Sequence, residues 1–358
     1  MSPIRTVEFY SGIGGLHRAL TRSGVVADVV RAFDWDPLAC AVYEANHGPG
    51  IVKKTDIGTL TAADLQPLAC DLWLLSPACQ PCTVLNPGAR GAADPRAASF
   101  LHLISCVLPD LARAHAHPQW LLVENVAGFE TSTTRRLLVD TLYRLGYHTT
   151  ELLLTPLQFG IPNSRLRYYL IARFAPFPAT SSISPLRHIP GRGADWVDPR
   201  YGTSEEQAQT PVNALSAYLD DGNVLGEYAV PGRVLEKWGR LFDIVLPSAR
   251  RTCCFTRGYT QLVERAGSIL QENEALNTTT TFDAFLADQR ASVPGALAVL
   301  ASLRLRYLTP SELLRLLAFP ADKFVWPAHV SRKVRYRLLG NSVNVHVVAE
   351  LLRYLFEP

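Results

Sequence analysis

Thr6-Val7-Glu8-Phe9-Tyr10-Ser11-Gly12-Ile13-Gly14-Gly15-Leu16 opens the first pattern in the chain. A short strand over Thr6–Tyr10 runs into a glycine-rich turn, and a helix begins near Gly15-Leu16. The same alternation continues outward. Val25–Asp34 ends in a second strand, Leu72–Leu75 is a third, Trp120–Val123 a fourth, and Tyr168–Ala172 another. Ala97–Ala114 and Thr134–Leu145 fit helices between them. Leu72–Leu75 is short and wholly apolar, as a strand buried on both faces must be. Strands alternating with helices predict an open parallel α/β sheet, with ligands at the carboxyl ends of the strands. The pattern fades after Phe174. Residues 175–212 are rich in Pro, Ser and Gly, and 213–300 mix short elements. Order returns at Thr309-Pro310-Ser311-Glu312, a helix start with proline at its first position. Gly340-Asn341-Ser342-Val343 then leads into an amphipathic helix, Val345–Phe356. The expected organisation is a first part at 1–174, a small domain at 175–300, and a return to the first domain at 301–358.

The chain has 358 residues, of which 48% are hydrophobic and 19% charged. This composition excludes disorder, collagen and a disulfide miniprotein. No apolar run is long enough to span a bilayer, and Met1–Arg5 has no signal-peptide core, so a soluble intracellular protein is expected. Net charge is +3, with 30 Arg and 5 Lys among the 35 cations. Residues 175–300 hold 11 cations and 14 anions, a net of −3, which leaves +6 for the rest. Cations cluster at Arg250, Arg251 and Arg257, and at Arg332-Lys333-Val334-Arg335-Tyr336-Arg337. The seven cysteines, odd in number and irregularly spaced, are expected to be free thiols. Cys79 and Cys82 form one C-x-x-C without a second pair in register, so no metal is expected.

Four stretches have the residue types for chemistry, and each also has a plain structural reading. The loop Ser11–Gly15 lacks the G-x-G-x-x-G spacing of a pyrophosphate cradle. It suits a nucleoside without phosphates, such as S-adenosylmethionine, with Asp34 placed for a ribose and Trp35 for an adenine face. Alternatively, Trp35 is core and Asp34 a strand-end cap. In Leu74-Leu75-Ser76-Pro77-Ala78-Cys79-Gln80-Pro81-Cys82, two prolines stiffen a loop that carries a thiol. Alternatively, Cys79 is an inert buried residue. Glu124, at the end of Leu121-Leu122-Val123, is costly to bury ionised and so suited to hold a proton. Alternatively, it pairs with an arginine for structure. Arg165 and Arg167, two apart on an extended segment, are expected to point the same way, toward a carbonyl, a phosphate or Glu124. Alternatively, they edge a solvated strand.

Taken in order, glycine loop, acidic strand end, Pro-flanked Cys, Glu-Asn-Val, Arg-x-Arg and a late Gly-Asn-Ser-Val resemble the cytosine-C5 methyltransferases over nearly the whole chain. The set is most similar to the eukaryotic tRNA-aspartate methyltransferase branch. Asp94-Pro95-Arg96-Ala97-Ala98-Ser99-Phe100, Ile161-Pro162-Asn163-Ser164-Arg165-Leu166-Arg167-Tyr168 and Cys254-Phe255-Thr256-Arg257-Gly258-Tyr259 carry that likeness. Ala78, Cys82 and Val84 depart from it, standing where the family has Pro, Phe and Arg.

The resemblance implies an open, mostly parallel Rossmann-like S-adenosylmethionine methyltransferase sheet with a smaller, irregular target-recognition domain. It implies that Cys79 adds to carbon 6 of cytosine, that protonated Glu124 neutralises the ring, and that Arg165 and Arg167 hold the O2 side and orient Glu124. It implies S-adenosyl-L-methionine as donor and S-adenosyl-L-homocysteine as product. The implied pocket comprises Ser11, Gly12, Ile13, Gly14, Gly15, Asp34, Trp35, Asp56, Ile57, Gly58, Ser76, Asn341, Ser342 and Val343. The implied substrate is cytosine 38 in the anticodon loop of tRNA-Asp, swung out of its stack. Arg250, Arg251, Arg257, Lys333, Arg335 and Arg337 are the expected phosphate contacts. The same chemistry on DNA is one alternative, and a catalytically impaired nucleic-acid-binding homologue is another. A monomer in the cytoplasm or nucleus is expected.

Overall fold

Seven strands make one sheet in the computed structural model, which describes residues 2–77, 97–177, 211–222 and 224–357. They are β1 (Ile4–Phe9), β2 (Ala27–Asp34), β3 (Val52–Lys54), β4 (Leu72–Leu75), β5 (Trp120–Val126), β6 (His148–Leu154) and β7 (Arg167–Arg173). Their order across the sheet is β3-β2-β1-β4-β5-β7-β6. The first five run parallel, while β7 is antiparallel to both β5 and β6. Crossing from β3 back through β2 to β1 and then out to β4 reverses the strand order at β1. Such a reversal opens a crevice at the carboxyl ends of β1 and β4.

The sheet is covered on both faces, and strand periodicity decides which residue goes where. On β4, Leu72 and Leu74 join one apolar cluster while Trp73 and Leu75 join the other. The first cluster includes helix Gly15–Ser23 and helix Val345–Leu355. The second includes Leu103, Leu108 and Leu111, and Leu138 and Leu142 of helix Thr133–Arg144. The stretch expected as one helix over 97–114 is α-helical at Ala98–His102 and Leu108–Arg113, with a π-helical segment, Leu103–Val107, between them.

Helix Val345–Leu355 is amphipathic as expected, His346, Glu350 and Arg353 sharing one side while Val345, Val347, Val348, Ala349, Leu351, Leu352 and Leu355 are fully buried. Arg353 of this helix donates from Nε to the carbonyl of Ser23 (3.2 Å) and from Nη2 to that of Arg22 (3.1 Å). It therefore satisfies two carbonyls left open at the end of helix Gly15–Ser23.

A second, three-stranded sheet comprises β8 (Ile244–Val245), β9 (Ile269–Gln271) and β10 (Leu305–Arg306), with β9 in the middle. Its third strand lies past residue 300, so this sheet spans the boundary expected there. The middle segment also shares its core with the rest of the chain. Leu215, Leu235, Phe282 and Phe285 belong to the same apolar cluster as Leu313 and Val347. Helix Pro310–Leu316 starts as its sequence indicates. Thr309 Oγ1 accepts from the Glu312 N–H (3.1 Å), and a Glu312 carboxylate oxygen accepts from the Thr309 N–H (2.7 Å). The same Glu312 pairs with buried Arg306 at 2.7 Å, which locks the small sheet to this helix.

Candidate active site

The glycine loop starts from a strained turn. Tyr10, directly after β1, has φ 59°. Left-handed backbone costs such a residue about 1–3 kcal/mol and tends to be kept where a site needs it. Ser76 Oγ donates to the Tyr10 carbonyl (3.0 Å), tying together the ends of β1 and β4. Asp34, at the end of β2, shapes the loop from the other flank. Its Oδ2 accepts from the Gly12 N–H (2.7 Å) and its Oδ1 from the Asp36 N–H (2.8 Å). Burial raises the pKa of the Asp34 carboxyl, and these two N–H groups work against that. Gly14, at φ 81°, is close against helix Pro37–His47: a Cβ there would lie 2.2 Å from His47 Nε2. No side chain fits that position.

A cavity of about 310 Å³ opens at these strand ends. Ser11, Gly12, Ile13 and Gly15 line it from the loop, Asp34 and Ser76 from the strand ends, and Asn341, Ser342 and Val343 from the return segment. Glu124, Arg165, Arg167 and Arg257 line it as well. The structure thus brings together residues from stretches up to about 330 positions apart in the chain. Gly14, Trp35, Asp56, Ile57 and Gly58 do not line this cavity. Gly14 faces His47. Trp35 is 67% exposed, with Lys54 Nζ 5.7 Å from its ring centre. Asp56 caps the short turn Ile57–Thr59 and accepts from the Gly58 N–H (2.9 Å). Pro77, Val126 and Gly340 line it from within the quoted motifs, and Tyr10, Asp36, Ala39 and Leu338 line it without having been named as site residues. Only Asp36, in the helix-start pair Asp36-Pro37, carried a local signal.

Ser11 Oγ is buried in this wall without a hydrogen-bond partner among the described residues. A buried hydroxyl of that kind asks for a ligand atom. With Asp34 beside it and no phosphate-cradling loop, the donor set fits an amino-acid and nucleoside ligand such as S-adenosylmethionine.

Glu124 sits near the end of β5 and is 8% exposed. Burial pushes its carboxyl pKa above the usual range, and the guanidiniums of Arg167 and then Arg165 pull it part of the way back. Arg167 Nε lies 3.4 Å from Glu124 Oε1. The next residue, Asn125, donates from Nδ2 to the Pro77 carbonyl (3.3 Å), so β5 holds the start of the Pro77-Ala78-Cys79 loop. Cys79, Ala78, Cys82 and Val84 lie outside the described residues.

The two arginines converge, both guanidiniums reaching Cys254 and both lining the cavity, although only Arg167 lies on the strand. Residues before β7 are curled: the Asn163 N–H donates to the Ile161 carbonyl (2.7 Å) and the Arg165 N–H to that of Asn163 (3.0 Å). The strand alternation that would align Arg165 with Arg167 begins only at Arg167. Arg165 is 3% exposed. Its Nη1 donates to the Phe255 carbonyl (2.9 Å), and its Nη2 to the carbonyls of Gly340 (3.1 Å) and Ser342. Arg165 therefore staples the 252–257 segment to the return segment that lines the cavity. Gly340 makes the fit possible, since a Cβ there would lie 2.2 Å from the backbone of Thr256. Cys254 Sγ lies 3.6 Å from Arg165 Nη1 and 3.6 Å from Arg167 Nη2. Burial works to raise its thiol, but Arg167 and Arg165 outweigh it, and the pKa ends below the ordinary value.

Replacing Arg165 with leucine leaves three carbonyls without their donor, so the variant should lose roughly 3 kcal/mol of stability. A urea titration checks this, and a midpoint equal to wild type would remove the staple from the account.

Of the expected phosphate contacts, Arg257 lines the cavity and makes no ion pair or hydrogen bond with described residues. Lys333 is exposed. The others are partly engaged. Arg250 donates to the Val212 carbonyl, Arg251 pairs with Asp243 (2.8 Å), Arg335 covers the Trp326 ring at 5.5 Å, and Arg337 pairs with Asp36 (2.5 Å). Exposed pairs such as Arg251–Asp243 are weak enough to exchange partners.

Comparison with known proteins bears on this geometry. The C-5 cytosine-specific DNA methylase family matches residues 4–357. The chain is 39% identical to a tRNA (cytosine(38)-C(5))-methyltransferase of Schizosaccharomyces pombe, over 99% of this chain and 97% of that protein. It is 36% identical to the human protein of the same name, over the full length of both. The crystal structure of the S. pombe Dnmt2 methyltransferase aligns with a TM-score of 0.78 at 38% identity, covering 100% of this chain and 99% of that one.

Proposed function

Since the chain belongs to the C-5 cytosine-specific DNA methylase family, we propose that it methylates carbon 5 of cytosine 38 in the anticodon loop of a tRNA, tRNA-Asp foremost, with S-adenosylmethionine as donor. Its fold is the Rossmann-like α/β sheet of methyltransferases. The observation that carries the reading is one cavity in which Ser11 and Asp34 of the glycine-loop side meet Glu124 and Arg167 of the proton-handling side. The choice of tRNA over DNA is supported by full-length relatives named for cytosine 38 of tRNA.

When bound, S-adenosylmethionine supplies a methyl group activated by its sulfonium. Ser11, Asp34, Ser76 and Asn341–Val343 would hold it. Carbon 5 of cytosine is a poor nucleophile, and this chain's residues must change that. The Cys79 thiolate forms a bond to carbon 6, and the ring's 5,6 double bond becomes an enamine with electron density on carbon 5. Glu124, protonated, gives its proton to N3 and so neutralises the charge that the addition creates. Arg167 orients Glu124, and Arg165 and Arg167, both at the cavity wall, would hold the O2 side, Arg165 being fixed there by its staple. After methylation, a base removes the proton from carbon 5, the double bond re-forms, and the sulfur leaves. Arg257, at the cavity, and exposed Lys333 would take phosphates.

The test is direct. The protein is incubated with radiolabelled donor and, separately, tRNA-Asp, other tRNAs and cytosine-rich duplex DNA. Methylated cytosines are then mapped. The expected product is 5-methylcytosine at position 38 of tRNA-Asp. DNA turnover without a tRNA product would replace this assignment with the DNA reading.

A further inference from the structure

Behind the glycine loop, on the side away from the cavity lining, lies a group of titratable side chains that the chemistry above does not use. Glu8 of β1 is fully buried, and no cation is within ion-pair distance of it among the described residues. Its Oε2 lies 3.1 Å from Tyr43 Oη, and its Oε1 lies 3.4 Å from the backbone N–H of His17. The same Tyr43 Oη lies 2.7 Å from His17 Nδ1. The His47 ring stacks on His17 at 4.1 Å and tilts against Tyr43 at 4.6 Å. Its Nε2 fills the space that a Cβ on Gly14 would need, and its ring interacts with the backbone of Gly14 and Ile13.

Tyr43 has one proton to serve two neighbours. With Glu8 protonated, the chain runs from the Glu8 O–H to Tyr43 Oη and from the Tyr43 O–H to His17 Nδ1. Glu8 Oε2, Tyr43 Oη and His17 Nδ1 are then paired and none is charged. With Glu8 ionised, the chain must run in reverse from a His17 Nδ1–H, and a carboxylate with hydrogen bonds but no counter-charge among the described residues is left in an apolar interior. The other groups facing Glu8 do not offset that charge. Asp34, from the end of β2, adds repulsion, and β4 contributes only Leu72–Leu75 with Trp73. Arg18 sends Nη2 to the Asn46 carbonyl. Burial accordingly raises the Glu8 pKa to about 8, the hydrogen bonds from Tyr43, His17 and Leu16 opposing it. Burial also lowers His17 to about 4 and His47 to about 3, so both rings are neutral.

We propose that Glu8 is a positioning residue for the cofactor loop: protonated, it closes an uncharged chain through Tyr43 and His17 that seats His47 under Gly14, and its ionisation loosens the loop. This rests on the reading of Ser11–Gly15 as the S-adenosylmethionine loop. It adds a pH-dependent support that acts on cofactor affinity and not on the ring chemistry.

The experiment measures S-adenosylmethionine dissociation constants for wild type and Glu8→Gln between pH 6.5 and 9.5 by calorimetry. The donor's own amino group titrates in this range, so the ratio of the two constants is the readout. Glutamine mimics the neutral acid and cannot ionise. The ratio should be near one at pH 6.5 and grow to about tenfold by pH 9.5, one order per unit of coupled pKa. A ratio that stays constant overturns the inference, as does a Glu8→Gln protein already defective at pH 6.5. Absence of donor binding at every pH overturns the reading of the loop itself, and the inference with it.

Melting temperature gives a readout that needs no ligand. A carboxyl whose pKa rises from 4.5 unfolded to about 8 folded costs the native state progressively between those pH values, and no further above them. The Glu8→Gln protein should therefore gain on wild type from pH 5 to pH 8 and hold its lead beyond. A constant offset across that range would mean Glu8 is ionised in the fold, and would overturn the proposal.

Discussion

The Cys79→Ala protein should bind S-adenosylmethionine as wild type does and transfer no measurable methyl group to tRNA. Without a nucleophile at carbon 6, carbon 5 keeps the electron-poor character of an aromatic pyrimidine. No other side chain in the scheme makes it reactive. The loss should be at least about 10⁴-fold, as for other enzymes deprived of the attacking atom. Although Cys79 lies outside the described residues, the approach to it is well defined. Ser76 holds the Tyr10 carbonyl and Asn125 holds that of Pro77, two positions before Cys79 in the sequence. RNA carrying 5-fluorocytidine gives a second readout, because fluorine cannot leave as the proton does and the sulfur–carbon bond persists. Wild type should run as a protein–RNA adduct on a denaturing gel, and Cys79→Ala should not. Methyl transfer retained by an active Cys79→Ala preparation would exclude Cys79 as the nucleophile.

Glu124→Gln should leave donor affinity within about twofold and lower kcat by about 10²–10⁴-fold. The amide keeps the size and one hydrogen-bond donor, but it has no proton to give to N3. The charge made by thiolate addition is then left on the ring. The pH dependence follows from the environment of this residue. Burial raises its pKa, and Arg167 and Arg165 only partly reverse that. The working form is the acid, so the rate should fall as pH rises through a pKa above that of an ordinary glutamate, and Glu124→Gln should lose this limb. Donor affinity falling in step with kcat would instead make Glu124 a structural partner of Arg167.

The parts of the fold legible from sequence were those whose signal is local. Leu72–Leu75 is a strand because four consecutive apolar residues fit only a strand buried on both faces. Thr309 and Glu312 announce their helix because both halves of the cap lie within four residues. β6 was not legible: Thr149, Thr150 and Glu151 look like a loop until Glu151 finds Arg135 and Tyr168. Helix Arg332–Asn341 was hidden as a run of four cations, three of which, Arg332, Arg335 and Arg337, find their partners only once folded. The shared core of the middle segment depends on packing such as that of Phe282 against Gly239, which no periodicity reports. At the site, residue types and order pointed to Ser11, Asp34, Glu124 and Arg167. The staple made by Arg165 could not be read, because it depends on acceptors about 90 and 175 positions away. Tyr10 gave no warning, since a positive φ leaves no mark on an ordinary tyrosine.

The union of helix Val345–Leu355 with helix Gly15–Ser23 also sets a timetable for biosynthesis. Leu16, Ala19 and Leu20 emerge from the ribosome among the earliest residues, yet the surface that shelters them is translated some 330 residues later. At ordinary elongation speeds that interval is roughly 20–70 s, during which a sticky stripe stays uncovered on the nascent polypeptide. The protein should therefore depend on chaperone shielding while it is being made, and its production in a foreign host should be limited by that wait more than by the stability of the finished molecule.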